Sequence, residues 1–395
     1  MEQQHRQPSV HNKNSFDVIV LGVGSMGSSA CYYLAQRGYN VLGIDQFHIP
    51  HERGSHTGQS RIIRKAYYEH PDYVPLLQKA YNNWKSLEAM AGTQLYYPTG
   101  LLYMAPPESK LIKGIRTSAA AYNIPLENVG HNEDKETFHQ FHLPENYVKI
   151  LEQDAGFVLV EKTILAYYEA AIRCGATIKT AEKILNWTDK GNDIHVKTSK
   201  AVYTTKKLVI TAGPWTPELI PLLKEKLQVT LQLMAWVKPK RWEPFTMGNL
   251  PCWFITDENF PGFFYGFPAL PAAKYHNPPG IKIAHHYTGS QVTPEDKDNF
   301  AFAEEVQKLR YILDKYMPDA FEEIVDIKSC LYTNSPEGNF IIDLLPQHDG
   351  RIAIAGAFSG HGFKFVPIVG EILADLATEG KTELPIGFLN VQSVL

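Results

Sequence analysis

Three glycines in the run Gly22-Val23-Gly24-Ser25-Met26-Gly27 have the spacing G-x-G-x-x-G. In such a turn the first glycine permits a tight bend and the second lets the backbone approach a pyrophosphate. The third allows a helix to pack closely on a strand. The unpaired N–H groups and positive dipole end of the following helix favour the phosphate charge. Asp45 lies 18 positions beyond Gly27, a spacing that suits acceptance of hydrogen bonds from ribose hydroxyls. The chemistry implied is dinucleotide binding, and this unit alone fits a flavin or a nicotinamide dinucleotide equally well.

A second group of chemical interest is GSHTGQSRIIRKAY at 54–67. Arg61 and Arg64 are three apart and share a face if the segment is helical, with Lys65 pointing elsewhere. Two guanidiniums held together suit a carboxylate or the edge of a flavin, because each presents a planar donor fork. A solvated basic surface accounts for the same spacing. Near the other end of the chain, RIAIAGAFSGHGFKF at 351–365 places Gly360, His361 and Gly362 in a loop that feeds a helix. A helix N-terminus stabilises negative charge, which suits the pyrimidine edge of a reduced flavin. Lys364 stands where it would hold an anion, although a routine surface lysine fits as well. Cys330 precedes a turn-rich stretch. By itself it reads as a small buried hydrophobe, as do Cys31, Cys174 and Cys252.

These side chains need elements to hold them. Residues 16–21 form a nearly continuous apolar, β-branched run, the pattern of a strand buried on both faces of a parallel sheet. A helix is expected over 28–38, with Ala30, Tyr33, Leu34 and Arg37 at helical spacing and Gly38 as its stop. A second strand is expected over 39–44 and another over 351–357. A C-terminal helix is expected from Val369, Ile372, Leu373 and Leu376, ending at Gly380.

Composition narrows the class. The chain has 395 residues, 44% of them hydrophobic, and a formal net charge of −4. That balance argues against a dedicated nucleic-acid binder. Four cysteines without CxxC spacing are not a disulfide framework and point to a reducing compartment. Residues 1–15 are polar and expected to form a disordered tail. The stretch 16–35 imitates a signal peptide or a membrane span, but Asp17 and its glycines and serines weaken the span reading. His131, Glu133, Asp134, His139 and His142 cluster in a polar context that favours a solvated segment over a metal site. HERGSH at 51–56 lacks HExxH spacing, and no GxSxG elbow is present.

Taken together, the motifs GVGSMG, GQSRIIRKAY, LVITAGPW (208–215), FFYGFP (263–268), IKIAHHY (281–287), the CLYT-to-FIID segment and FSGHGFKF resemble the monomeric sarcosine oxidase family of FAD-dependent amine oxidoreductases. They run from residue 16 to the C-terminal region. The resemblance implies a thioether from Cys330 to the ring methyl of FAD. It also implies a clamp for the substrate carboxylate made by Arg64 and Lys364, Arg61 beside the flavin, and Tyr265 and His286 lining the amine site. Lys282 would activate dioxygen. The fold implied is α/β, a Rossmann-type FAD domain interleaved with an α+β substrate domain whose mixed sheet roofs the active site. The FAD domain would take 16–95, 155–225 and 335–385, and the catalytic domain 96–154 and 226–334.

Many bacterial members carry a second histidine after GSH, where this chain has Thr57. The following acidic position is Gln59, and the segment 251–266 is bulky. These departures bear on the substrate more than on the chemistry, and pocket shape is expected to be set around Phe254, Phe264 and Tyr265. The expected activity is oxidation of a small secondary amino acid to an imine, with dioxygen reduced to hydrogen peroxide. No nucleic-acid or membrane partner is expected of what would be a cytoplasmic monomer. The alternatives are a flavin dehydrogenase using another electron acceptor and a non-catalytic flavin-binding protein.

Overall fold

The computed structural model describes residues 14–130, 138–275, 277–298 and 301–395. Most of the expected tail, residues 1–13, lies outside the described residues, and Ser15 already belongs to the first strand. Of the polar histidine cluster, His131, Glu133 and Asp134 lie outside them as well. Among the described residues no group of three His, Cys, Asp or Glu side chains is placed to hold a metal. None of the helices there is long and apolar enough to cross a membrane.

Ser15–Leu21 pairs in parallel with Val41–Ile44 on one side and with Val202–Ile210 on the other. Thr177–Lys179 continues the parallel order beyond Val41–Ile44, and Ile352–Gly356 pairs in parallel with Val202–Ile210. Antiparallel strands Ile184–Asp189, Ile194–Thr198 and Ile341–Leu344 complete an eight-stranded sheet. The apolar run of the first strand is explained by this position. Val18 and Val20 join the core made with the helices Ser25–Gln36, Tyr73–Ala91, Val160–Arg173 and Val366–Glu379. Ile19 and Leu21 join the core on the opposite face. The first helix begins at Ser25, three residues earlier than the sequence periodicity suggests, because it starts directly from the glycine turn. The C-terminal helix does end at Gly380, in the left-handed conformation that glycine tolerates.

A second sheet of nine strands is mixed. Its order runs Ser290–Gln291, Gln228–Lys238, Ile281–His286, Phe260–Phe267, Cys252–Asp257, Leu101–Ala105, Val148–Glu152 and Glu127–Val129. Glu323–Asn334 pairs antiparallel to Gln228–Lys238. Strand alternation sorts its residues. Trp253, Ile255, Phe264, Ile281 and Ile283 pack in one core with Leu309, Ile312, Leu313 and Tyr316 of the helix Ala303–Tyr316. The other face carries Met234, Trp236, Tyr265, Ala284, Cys330 and Tyr332. Lys282 and His286, two residues either side of Ala284, share that face.

Two expectations are corrected here. Arg61 lies on a strand, Ser60–Ile63, which pairs with Gly156–Leu159 in a small separate sheet. Arg61 and Arg64 therefore share no helical face. The β-branched pair Ile62-Ile63 between them favours extended backbone. Phe264 points away from the site, with its ring stacked on His285 at 4.1 Å, so Phe263 and Tyr265 are the residues of that strand on the cavity wall.

Candidate functional site

A long cavity runs between the two large sheets. One end is lined by Gly22, Gly24, Ser25, Asp45 and His56, and the other by Arg64, Glu69, Phe254, His286, Gly360 and Lys364. Arg61, Tyr265 and Gly362 also line it. Gly27, Lys282 and Cys330 do not belong to its wall.

The glycine turn shows why its residues are glycines. Gly22 has φ +89, and a Cβ there would lie 2.7 Å from Thr211 O. A Cβ on Gly27 would lie 1.8 Å from Gly22 O and 2.7 Å from Thr211 Oγ1. Gly27 thus lets the helix seat against the turn. Gly24 is different: a Cβ there would touch only the His56 ring, at 3.6 Å, so protein does not crowd its backbone on the cavity side. The helix that follows has no side-chain cap at its N-terminus, leaving the first-turn amides to a bound group. Asp45 accepts from Val23 N at 2.8 Å and Phe47 N at 2.9 Å. Its carboxylate therefore also braces the turn, with His51 Nε2 at 3.7 Å.

The C-terminal loop closes the other end. Ala357, Ser359 and Gly360 all have positive φ, and a Cβ on Gly360 would lie 2.2 Å from the Tyr332 ring. A single helical turn, Phe363–Phe365, separates the loop from the helix Val366–Glu379. His361 Nε2 faces Gly338 O at 3.0 Å and so carries the proton. Its Nδ1 then accepts from Tyr67 Oη at 2.5 Å. This strut ties the loop to the segment that carries Arg64.

Arg64 and Lys364 come together around Tyr67. The guanidinium carbon lies 4.1 Å and the Lys364 nitrogen 5.2 Å from the centre of that ring. Lys364 Nζ donates to His361 O at 2.6 Å, and its carbonyl accepts from Trp84 Nε1 at 3.0 Å. Burial, reinforced by Arg64, pushes its amine well below the ordinary lysine range, against the pull of Glu69. Arg64 is only 2% exposed. Burial opposes its charge, but Glu69 outweighs that and holds the guanidinium above its usual range. Sequence reasoning missed Glu69, whose two oxygens take Arg64 Nη2 at 2.6 and 2.7 Å. It also missed Glu152, a fully buried carboxylate raised by desolvation. Glu152 accepts from Lys65 N at 2.6 Å and Tyr103 Oη at 2.6 Å, fixing the backbone just after Arg64.

On the roof, His286 Nδ1 meets Tyr332 Oη at 3.3 Å, and its ring lies 4.8 Å from that of Phe263. Burial, with His361 adding to it, takes His286 down to about 3, so it is a neutral wall residue at physiological pH. Burial pushes Tyr265 up to about 12, so it keeps its hydroxyl proton. Lys282 is 3% exposed and donates to Gly58 O at 2.7 Å and Ser60 O at 2.9 Å. The Phe267 ring centre lies 4.6 Å away and that of Trp236 5.4 Å. Burial and the charge of Arg61 drive its amine well below the ordinary range. Arg61 folds back on the same loop, donating to Ser55 O and Thr57 O at 3.1 and 2.5 Å.

Cys330 is buried at the back of the roof, opposite Gln232 in register. Burial raises its thiol, while Arg61, Lys297 and Lys282 oppose that. Cys31 and Cys252 are buried and their thiols pushed up to about 12. Cys174 is exposed, correcting the reading of it as a buried hydrophobe: it caps the end of Val160–Arg173 at the surface. The arrangement can hold an elongated dinucleotide between the glycine turn and the Gly360 loop, with two cations and an aromatic wall at the inner end.

Comparison with known proteins agrees. The family described as FAD dependent oxidoreductase matches residues 17–376. The chain is 34% identical to a monomeric sarcosine oxidase of Streptomyces avermitilis, over 95% of this chain and 97% of that protein. It is 35% identical to the human peroxisomal sarcosine oxidase, over 92% of each. Among solved structures, NikD, an amino acid oxidase of nikkomycin biosynthesis, superposes with a TM-score of 0.84 at 25% identity, covering 96% of this chain and 98% of NikD.

Proposed function

The chain belongs to the FAD dependent oxidoreductase family, and we propose that it is an oxidase of small secondary amino acids. The observation that carries this reading is the pairing of Arg64 and Lys364 around Tyr67, at the inner end of a cavity whose far end is the glycine turn. Two cations in a dry pocket recognise a carboxylate, where charge-assisted hydrogen bonds are strong.

Gly22, Gly24 and Asp45 would hold the dinucleotide end of FAD, and Gly360 and Gly362 its ring end, with Cys330 supplying a thioether. FAD would take up a hydride equivalent from the substrate C–H and pass two electrons to dioxygen. The protein's own contributions are positional and electrostatic. Arg64 and Lys364 bind the carboxylate. Phe254, Phe263 and Tyr265 shape the wall beside the amine and exclude water. Neutral His286 offers a polar contact without competing as a cation. Lys282 would stabilise negative charge developing on dioxygen, and Arg61 lies at the flavin. The product imine hydrolyses, giving an amine and an aldehyde from an N-methyl substrate. The domain division that goes with this reading is 16–95, 155–225 and 335–385 for FAD and 96–154 and 226–334 for substrate.

A peroxide-release screen tests the reading. Sarcosine, larger N-methyl amino acids, pipecolate and proline are compared with simple amines that lack a carboxylate. At least one amino acid should release peroxide while the amines do not. Flavin left unbleached by every amino acid under anaerobic conditions would overturn the activity. Bleaching followed by slow recovery in air would make the protein a dehydrogenase.

A further inference from the structure

Three buried or half-buried cations hang on the oxygens of one loop, residues 52–60. Lys282 binds the carbonyls of Gly58 and Ser60, and Arg61 those of Ser55 and Thr57. The third is Lys297, which donates to Glu52 O and, at 3.1 Å, to Thr57 Oγ1. Lys297 is 4% exposed, although it sits in the strongly polar run PEDKD. It lines no part of the cavity and has no place in the chemistry proposed above.

Holding the loop does not account for a buried ammonium. The same loop is already pinned by Arg53 to Asp298 at 2.5 Å and by Lys328 to Glu52, in pairs that stay open to solvent. Burying a lysine is unfavourable, and Lys297 is accordingly held below its usual range by desolvation. Of the charges around it, Cys330 acts on it most strongly, ahead of Asp298, Glu52 and Arg53. Around Cys330 stand Arg61, Lys297 and Lys282, with Tyr265 and Tyr332 as the neighbouring titratable hydroxyls.

We propose that Lys297 is a positioning cation for attachment of the flavin to Cys330: held on the loop by Thr57 and Glu52, its ammonium favours the Cys330 thiolate. This rests on the thioether reading given above. Attachment exchanges the thiol S–H and one C–H of the ring methyl for a single S–C bond. The two electrons and two protons released pass to dioxygen, which leaves as hydrogen peroxide. The thiolate is the attacking form, so a nearby fixed cation sets how fast this happens at a given pH.

The test follows attachment rather than turnover. Wild type, Lys297→Met, Lys297→Arg and Cys330→Ser are produced flavin-poor and incubated with FAD in air across a pH series. The flavin that stays with acid-precipitated protein is measured against time, with intact mass as a check. Wild type should attach fully and Cys330→Ser not at all. Lys297→Met should bind FAD but attach it on the order of tenfold more slowly, the effect of losing one close opposite charge. Its rate profile should move to higher pH, and Lys297→Arg should restore most of the rate. Unchanged attachment in Lys297→Met overturns the proposal. So does a slower rate with an unmoved pH profile and no rescue by arginine, which is the mark of a merely structural role. If the methionine variant fails to accumulate, Lys297→Gln against Lys297→Arg gives the same contrast. Release of all flavin from wild type would overturn the thioether reading itself, before any Lys297 variant is considered.

Discussion

Substrate binding should draw a proton into the site, and Lys364 is the residue that should take it. In the free protein its amine is buried, faces Arg64, and is held well below the ordinary lysine range. A substrate carboxylate arriving at contact distance acts in the opposite sense. At about 4 Å and an effective dielectric of about 20, an opposite charge contributes about 4 kcal/mol. At 1.36 kcal/mol per unit, that is a rise of about three pKa units. The sign follows directly. Below the free-state pKa, Lys364 is charged with or without ligand, and affinity is independent of pH. Between the free and bound values, binding takes up as much as one proton, and affinity falls about tenfold per pH unit. Above the bound value the attraction is gone. The assay uses a carboxylate with no oxidisable amine, so that neither turnover nor an amine titration intrudes, and reads proton uptake with an indicator dye in weak buffer. Lys364→Met should abolish the uptake and flatten the pH dependence of affinity. His286, His361 and Glu69 are the other groups able to accept a proton there, and they remain in that variant. Uptake that persists unchanged in Lys364→Met, or is absent in wild type from neutral pH to the ordinary lysine range, would refute the reasoning.

Two further outcomes are expected. Lys282→Met should slow reoxidation of the reduced flavin by about 100-fold or more, the scale of losing one preorganised electrostatic contact. Anaerobic reduction by substrate should be slowed far less, and equal losses measured by stopped flow in both half-reactions would remove Lys282 from the oxygen step. Gly27→Ala places a methyl 1.8 Å from Gly22 O and should cost about 3 kcal/mol, the upper end of overpacking penalties. Gly24→Ala, with only His56 in contact at 3.6 Å, should change stability by less than about 1 kcal/mol. A thermal melt of both variants tests this, and equal destabilisation would contradict the division of roles within the turn.

The glycine turn was legible in the sequence because its logic is local: a bend, a helix start and a close contact within six residues. The buried first strand was legible too, since burial on both faces leaves a continuous apolar run. Other features depend on register or on distant partners. Phe263 and Phe264 differ only in which way the strand faces, and sequence alone does not fix that phase. The segment around Arg61 has residues that suit a helix or a strand, and pairing with Gly156–Leu159 decides it. Glu69 carried no local sign that it would meet Arg64, because that contact depends on how the chain turns after the strand. Lys297 looks like any lysine among acids. Its burial arises from contact with Thr57, 240 positions earlier.

The order in which the site's parts leave the ribosome has a consequence of its own. Ile352–Gly356 pairs with Leu208, Val209 and Ile210 of a strand made much earlier, and the loop bearing Gly360 and Lys364 follows it. A nascent chain can therefore complete the glycine turn and display Arg64 long before the ring end of the cradle exists. Until the last segment docks, part of Val202–Ile210 remains an unpaired sheet edge, an invitation to association with other chains. Full cofactor capture is thus a late event in the life of the polypeptide, and a message truncated before residue 352 would yield a product prone to aggregation rather than a weak enzyme.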